Sequence, residues 1–236
     1  MQHIIGYMRR AIQDYKMILP GDKVAVGLSG GKDSVALLAG LERLKRHVGM
    51  DFELVAITLD PCFGGVNTDY SPIEAFCENL GIEYILKRTD IGHIVFDIRN
   101  EPNPCSLCAR MRRGLLHDTM KEAGCNKLAL GHHYDDAVET FVMNLFHEAR
   151  IGCFSPVTYM SRKDITVIRP LVLAPEREIR RAVANAQFPV VKSRCLVDGA
   201  TSREDTKNWL VSMEKDMPGI TKRLFGAMKR SGIDGW

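Results

Sequence analysis

The sequence lacks long apolar segments. No apolar run approaches the roughly 18 residues that a membrane-spanning helix needs, and residues 1–10 contain no apolar stretch of signal-peptide length. The formal net charge is only +3, so the composition alone does not indicate a nucleic-acid-binding protein. We therefore expect a soluble cytoplasmic protein without a membrane partner.

The sequence also lacks a Walker A phosphate loop. That motif has the pattern Gly-x-x-x-x-Gly-Lys-Ser/Thr. Here Val26 occupies the position of the first glycine, and Asp33 separates Lys32 from Ser34. Phosphoryl transfer of the kinase type is therefore disfavoured.

A disulfide or zinc framework is not evident among the cysteines. Their number, seven, is odd, and disulfide scaffolds are rare in cytoplasmic proteins. Cys105 and Cys108 form a C-x-x-C pair, but a four-cysteine zinc site needs a second pair and the sequence has none. By itself, the pair is compatible with half a zinc site, a redox pair or chance.

Strand-like and helix-like segments alternate along most of the chain. This alternation predicts an α/β, Rossmann-like fold, with a parallel sheet covered by helices on both faces. We expect one domain over 1–236, with an N-terminal helix at 1–20, an α/β core at 21–190 and a helical tail at 191–236. The predicted strands are 23–28, 52–59, 82–86, 127–130 and 165–168, and the predicted helices are 3–18, 33–44, 72–80, 107–123, 136–149, 176–186, 203–214 and 218–229.

The segment Ser29-Gly30-Gly31-Lys32-Asp33-Ser34 joins the first predicted strand to a helix. Two glycines let the main chain approach a phosphate closely, and a helix N-terminus offers unpaired N–H groups and partial positive charge. Ser29 and Ser34 can donate hydroxyl hydrogen bonds, and Lys32 adds positive charge. An ordinary glycine-rich turn is the alternative, but the serines and the aspartate favour a phosphate site.

A second unusual segment, Gly131–Thr140, follows the fourth predicted strand with the sequence GHHYDDAVET. Asp135 and Asp136 fall in the first turn of the next helix, where capping and the helix dipole alone explain acidic residues. The carboxylates can also hold Mg²⁺ on nucleotide phosphates or position a substrate. His132 can bind phosphate or act as an acid or base, whereas no role is evident for His133.

Cys195 is the best candidate for a third metal ligand, because it stands in a polar stretch. Three cysteines suit a 4Fe–4S cluster that leaves one iron open. Cys105 and Cys108 open a predicted helix, whose dipole favours thiolates. The other four cysteines are interpreted as small buried hydrophobic side chains: Cys62, Cys77, Cys125 and Cys153. For Cys62 a role at the nucleotide stays open as the alternative, because it follows Asp60 closely.

The loop at Ser29–Ser34 resembles that of the PP-loop, or N-type, ATP pyrophosphatase superfamily. This resemblance implies an adenine nucleotide α-hydrolase-like fold and cleavage of ATP between the α and β phosphates. It also implies that the loop contacts the phosphates and that Thr58, Leu59 and Asp60 lie near the adenosine. An acidic residue at a strand end can also simply cap a loop, which is the alternative for Asp60.

The order of four motifs resembles the tRNA 2-thiocytidine synthetase family, a branch of that superfamily, over almost the full chain. The resemblance implies that ATP adenylates the C2 carbonyl oxygen of an anticodon-loop cytidine, and that sulfur then replaces the oxygen. Members of the branch often carry a second C-x-x-C near the C-terminal cysteine, where this chain has Cys195 alone. The motifs are Ser29–Ser34, the cysteine pair with its arginines, Gly131–Thr140 and Ile168–Leu171.

This resemblance implies ATP, Mg²⁺ and a 4Fe–4S cluster as cofactors. The implied partners are tRNA and a sulfur donor such as a cysteine desulfurase or sulfide, and we also expect a homodimer. Two alternatives stay open: a PP-loop enzyme that acts on another tRNA nucleoside or a small molecule, and a non-catalytic iron–sulfur nucleotide sensor that binds RNA or protein. The implied catalytic residues are Asp33, Asp135, Asp136, Cys105, Cys108 and Cys195, with Gly131 and His132 at the nucleotide and Arg110, Arg112, Arg113 and Arg169 at the RNA.

Overall fold

The computed structural model describes residues 1–99, 104–195 and 202–236, without the side chain of Ser202. Over these ranges the chain forms a six-stranded sheet with helices packed against it. The strands are β1 (Asp22–Gly27), β2 (Phe52–Asp60), β3 (Glu83–Arg88), β4 (Lys127–Ala129), β5 (Val157–Met160) and β6 (Ile165–Ile168). The helices are α1 (Gln2–Asp14), α2 (Lys32–Val48), α3 (Ser71–Leu80), α4 (Ile91–His93), α5 (Pro104–Glu122), α6 (Tyr134–His147), α7 (Glu176–Asn185), α8 (Ser202–Asp216) and α9 (Ile220–Ser231).

The strand order is β3-β2-β1-β4-β6-β5. All neighbouring strands are parallel except β5, which pairs antiparallel with β6 at one edge. The α/β fold and its mostly parallel sheet were therefore predicted correctly, whereas β5 was missed. Its four residues, VTYM, are half-buried or exposed, so they lack the buried apolar run that marked β1, β2 and β6.

The core lies on both faces of the sheet. On one face, side chains of α1 and α2, including Met8, Leu37 and Leu41, are fully buried. On the other face, Met120 of α5 packs with Leu128 of β4. The strand order reverses between β1 and β4, and in such sheets this point leaves a crevice at the carboxyl ends of the strands, where ligands bind.

The C-terminal helices pack on α6. Leu210 of α8 is buried with Val138 and Val142 of α6, and the indole N–H of Trp236 donates to the carbonyl oxygen of Phe154 at 2.9 Å. The division into a core and a helical tail stays a prediction. None of the helices in the described ranges is both long and apolar enough to cross a membrane.

Candidate active site

A cavity of about 420 Å³ opens at the carboxyl ends of β1 and β4. One part of its wall is apolar and comes from the sheet and from α5, with Leu59 and Leu116 as examples. The polar part comes from both motifs predicted to carry the chemistry. The residues that these two motifs contribute are Ser29, Asp33, Ser34, Gly131, His132 and Asp136.

The loop between β1 and α2 is held in one shape by its own hydroxyl groups. The Ser29 and Ser34 Oγ atoms lie 3.1 Å apart, and Ser34 Oγ donates to the Gly31 carbonyl at 2.9 Å. Gly30 has a φ of +83°, and a Cβ there would lie 3.0 Å from the Val191 Cβ. Only glycine fits this position without strain or displacement, and the loop leaves the first N–H groups of α2 without intrahelical partners.

The Gly131 loop, residues 130–133 between β4 and α6, packs directly on the phosphate loop, Ser29–Ser34. A Cβ on Gly131 would lie 3.1 Å from the Ser34 amide nitrogen and 3.2 Å from the Asp33 carbonyl carbon. The two motifs, about a hundred residues apart in sequence, therefore meet at one edge of the sheet, because both follow neighbouring parallel strands.

His133, for which the sequence indicated no role, is the N-cap of α6. Its Nδ1 accepts from the Asp136 amide at 3.3 Å, and its own amide donates to the Asp136 carboxylate at 2.9 Å. His132 lies in the cavity wall, with its ring against Phe154 at a centroid distance of 5.1 Å. Burial and the neighbouring Arg169 charge lower the pKa of His132 to about 4, so this ring is neutral at physiological pH.

The two adjacent aspartates of α6 face different partners. Asp136 lines the cavity, and its Oδ1 accepts from the Arg203 guanidinium of α8 at 2.8 Å. The Asp135 carboxylate instead accepts from the Glu176 amide at 2.6 Å and thereby caps α7, and it does not line the cavity. The catalytic role predicted for Asp135 therefore has no support in this geometry.

Lys32 turns away from the cavity wall toward a cluster of charges. Its Nζ lies 2.9 Å from the Asp33 carboxylate and 3.0 Å from that of Glu176. Glu176 also contacts Arg180 at 2.9 Å and Lys207 at 3.1 Å. Burial by itself raises the pKa of Glu176, but hydrogen bonds from Lys32 and Arg180 outweigh it and lower the pKa to about 2.

The end of β2 contributes one of the three residues predicted at the adenosine. Leu59 lines the cavity. Thr58 is buried and donates to the Leu28 carbonyl at 2.6 Å, and Asp60 is buried and accepts from the Cys62 and Thr68 amides at 3.1 and 2.8 Å. Asp60 therefore caps the following loop, which is the alternative that the sequence left open for it. Its carboxylate does not line the cavity.

The three candidate cluster cysteines share one neighbourhood. Cys108 is buried, Cys105 is exposed and Cys195 is half-buried. Burial raises the pKa of the Cys108 thiol, the nearby Arg112 opposes this rise, and charges on Cys195 and Cys105 add to it. In the described part of the chain, no three His, Cys, Asp or Glu side chains converge closely enough to hold a single metal ion.

The donor set nevertheless fits an iron–sulfur cluster. Each cysteine of such a cluster binds its own iron, so the three sulfur atoms do not have to converge on one point. The remaining buried cysteines are protonated, because burial raises the pKa of Cys77 and Cys153 to about 12 and that of Cys125 to about 11. These three behave as the small hydrophobic side chains that the sequence predicted.

The four arginines predicted at the RNA differ in position. Arg112 and Arg113 line the cavity, whereas Arg110 is exposed on the same helix and does not. Arg169 is half-buried. Its guanidinium donates to Ser155 and Thr158 of the chain itself and lies 5.0 Å from the Phe154 ring centroid. Arg169 therefore joins the ends of β5 and β6, and the structure gives no support to its predicted contact with RNA.

A model of the PP-loop domain matches residues 5–194. The tRNA-cytidine(32) 2-sulfurtransferase of Geobacter sulfurreducens is 39% identical over 222 residues, which cover 93% of this chain and 86% of the relative. The chain therefore belongs to the PP-loop family that includes this relative. The family member from Neisseria meningitidis serogroup A is 36% identical over 231 residues, covering 97% of this chain and 71% of the relative.

Solved structures of two further proteins resemble this family member. The U34-tRNA thiolase NcsA from Methanococcus maripaludis, solved with its 4Fe-4S cluster, has a TM-score of 0.76 and 26% identity, over 96% of this chain and 78% of that one. The NH3-dependent NAD synthetase of Campylobacter jejuni has a TM-score of 0.50 and 16% identity, over 100% and 96% of the two chains. The second likeness shows the fold alone.

Besides His133, two residues of this PP-loop protein that contact the site were missed by sequence reasoning. Glu176 follows a proline at the start of a helix, which indicates a helix N-terminus and nothing more. Arg203 stands in a mixed-charge segment, 67 residues from Asp136. No local pattern links either residue to the phosphate loop, because their contacts depend on how α7 and α8 pack.

Proposed function

We propose that this protein is an ATP-dependent tRNA thiolase that replaces the C2 oxygen of cytidine 32 with sulfur. The single observation that carries the proposal is the meeting of the phosphate loop, the Gly131 loop and α5 at one cavity. This cavity brings a phosphate-binding loop next to the helix that bears Cys105 and Cys108. The names of the relatives supply the nucleoside.

The chemistry begins with ATP on the loop. Ser29, Gly30, Gly31 and Ser34 bind its phosphates through main-chain N–H groups and hydroxyl groups, whereas the Lys32 side chain is engaged by Asp33 and Glu176. The C2 carbonyl oxygen of the base attacks the α phosphorus, and the bond to the bridging oxygen of pyrophosphate breaks. A sulfur nucleophile then adds at C2, and AMP leaves with the original oxygen.

Two cofactors fit the residues that surround this reaction. Asp33 and Asp136 are the two cavity carboxylates, and they would hold Mg²⁺, which neutralises the phosphate charges. Cys105, Cys108 and Cys195 would hold a 4Fe–4S cluster, which would present the sulfur nucleophile to the base. A cysteine desulfurase or free sulfide is the proposed donor of that sulfur.

The base enters past the arginines of α5. Arg112 and Arg113 line the same cavity as Ser29 and Ser34, and they lie on the helix that bears the cysteine pair. Their positive charge suits the RNA phosphates that flank a base turned out of an anticodon loop. A homodimer and a cytoplasmic location stay predictions.

The test is nucleoside mass spectrometry of tRNA from cells with and without the gene. We expect 2-thiocytidine to disappear in the deletion strain and to return with the wild-type gene but not with Asp136→Asn. Unchanged 2-thiocytidine in the deletion strain would refute the proposal. Release of pyrophosphate from ATP without any change in tRNA would favour an enzyme that acts on a small molecule.

A further inference from the structure

His133 occupies an unusual place in the site. Its side chain is 6% exposed and lies between the two cavity carboxylates. Its Nε2 is 3.5 Å from Asp136 Oδ2 and 3.8 Å from Asp33 Oδ1. Asp33 belongs to the start of α2 and Asp136 to the start of α6, so one imidazole contacts the first turns of both helices.

The helix cap determines which nitrogen of this ring carries the proton. Nδ1 accepts a hydrogen bond from the Asp136 amide, and an accepting imidazole nitrogen has no hydrogen. The proton of the neutral ring is therefore on Nε2. Nε2 is the ring nitrogen that lies within 4 Å of both the Asp33 and the Asp136 carboxylates.

One of these carboxylate oxygens needs a partner. Asp33 Oδ2 is paired with Lys32, but Asp33 Oδ1 is buried and has no hydrogen bond within the described ranges. On Asp136, Oδ1 is held by Arg203 and Oδ2 by the His133 amide. His133 Nε2 lies 3.8 Å from this unpaired oxygen, within ion-pair range but beyond direct hydrogen-bond distance.

We propose that His133 is a positioning residue, fixed in its Nε2–H tautomer by the α6 cap, that orients the carboxylates of Asp33 and Asp136 toward Mg²⁺-ATP. This inference rests on the proposed use of these two carboxylates. Histidines and carboxylates next to metal ligands commonly act in this way, and their replacement lowers metal affinity or activity by about 10- to 100-fold.

The tautomer is tested directly on the wild-type protein. Long-range proton–nitrogen NMR spectra of protein labelled with ¹⁵N-histidine distinguish the two neutral forms. We expect His133 as the Nε2–H form, with an Nδ1 shift typical of an unprotonated acceptor. An Nδ1–H form would overturn the inference.

The positioning role is tested by separating the cap from the imidazole. His133→Asn keeps a capping oxygen but removes the Nε2–H group, whereas His133→Ala removes both. We expect the Asn variant to unfold near the wild-type temperature and the Ala variant to unfold at a lower one. Both variants should bind α,β-methylene-ATP with Mg²⁺ about 10- to 100-fold more weakly than wild type, and with unchanged affinity in EDTA.

The control substitution is His147→Asn, at the exposed far end of the same helix. It should leave both the melting temperature and the Mg²⁺-dependent affinity unchanged. Wild-type affinity in His133→Asn, or no Mg²⁺ dependence in the wild type, would overturn the inference. Since these binding measurements need no tRNA, they stay informative even if the nucleoside analysis refutes thiolation.

Discussion

Replacing Glu176 with glutamine tests the charge cluster that joins the phosphate loop to α7 and α8. Glutamine keeps the shape of the side chain but removes the charge that Lys32, Arg180 and Lys207 contact. Each pKa unit corresponds to about 1.36 kcal/mol, so lowering the pKa from 4.5 to about 2 corresponds to about 3 kcal/mol at neutral pH. The Arg180 side chain is 67% exposed and that of Lys207 36%. Solvent screening therefore reduces our expectation to about 1.5–2.5 kcal/mol.

The pH dependence of this loss has a definite sign. The pKa of Glu176 in the folded protein lies below its unfolded value of 4.5. The stabilisation is therefore complete above pH 4.5 and is lost as the pH falls toward 2. Urea unfolding of wild type and Glu176→Gln at several pH values measures this difference.

Glu178→Gln is the matched control. This neighbouring glutamate is also in the first turn of α7, but its contacts to His3 and Arg177 are 3.9 Å long. The effect of the helix dipole is thus shared by both variants, and we expect Glu178→Gln to cost less than about 0.5 kcal/mol. Equal losses in the two variants, or a Glu176→Gln loss that is the same at pH 7 and pH 3, would contradict the reasoning.

Three further substitutions test other parts of the site. Arg112→Ala should lower kcat/KM for tRNA thiolation by about tenfold, the loss expected for one charge-assisted hydrogen bond. Arg110→Ala should change kcat/KM by less than about twofold. Equal effects of the two substitutions would show that a position in the cavity wall does not matter for tRNA. After anaerobic purification, Cys195→Ala should lose most of its iron and sulfide while Cys125→Ala keeps both, and full iron content in the former would exclude that ligand. Arg203→Ala should lower the free energy of unfolding by about 1 kcal/mol, as measured in urea, and Arg203→Lys should lower it less. An unchanged midpoint would show that α8 docks without this contact.

The sequence was sufficient to predict those strands that are buried on both faces of the sheet. β1 and β2 were predicted to within one residue of their bounds, Asp22–Gly27 and Phe52–Asp60, because central parallel strands form nearly continuous apolar runs. The edge strand β5 was not predicted, because an edge strand that faces solvent on one side does not need a continuous apolar run. The phosphate loop was recognised because its two glycines stand together with two serines and an aspartate between a strand and a helix.

Contacts between helices that are distant in sequence were not predictable. His133 is a cap of a residue type that rarely caps helices, since Ser, Thr, Asp and Asn are preferred, so nothing in the pattern marked it. The partner of Arg203 depends on the packing of α8 against α6. Asp135 and Asp136 are identical neighbours in sequence, and only the positions of α7 and α8 decide that one caps a helix while the other faces the cavity.

The approach of Val191 to Gly30 limits how far Cys195, a proposed cluster ligand, can lie from the phosphate loop. The Val191 amide donates to the Gly30 carbonyl at 2.9 Å, and Cys195 follows four residues later. Four residues span at most about 14 Å, so this cysteine is tethered within that radius of the loop that binds ATP. The tether consists of main-chain atoms alone. It therefore tolerates any residue at position 191 that fits beside Gly30, except proline, which has no N–H to donate.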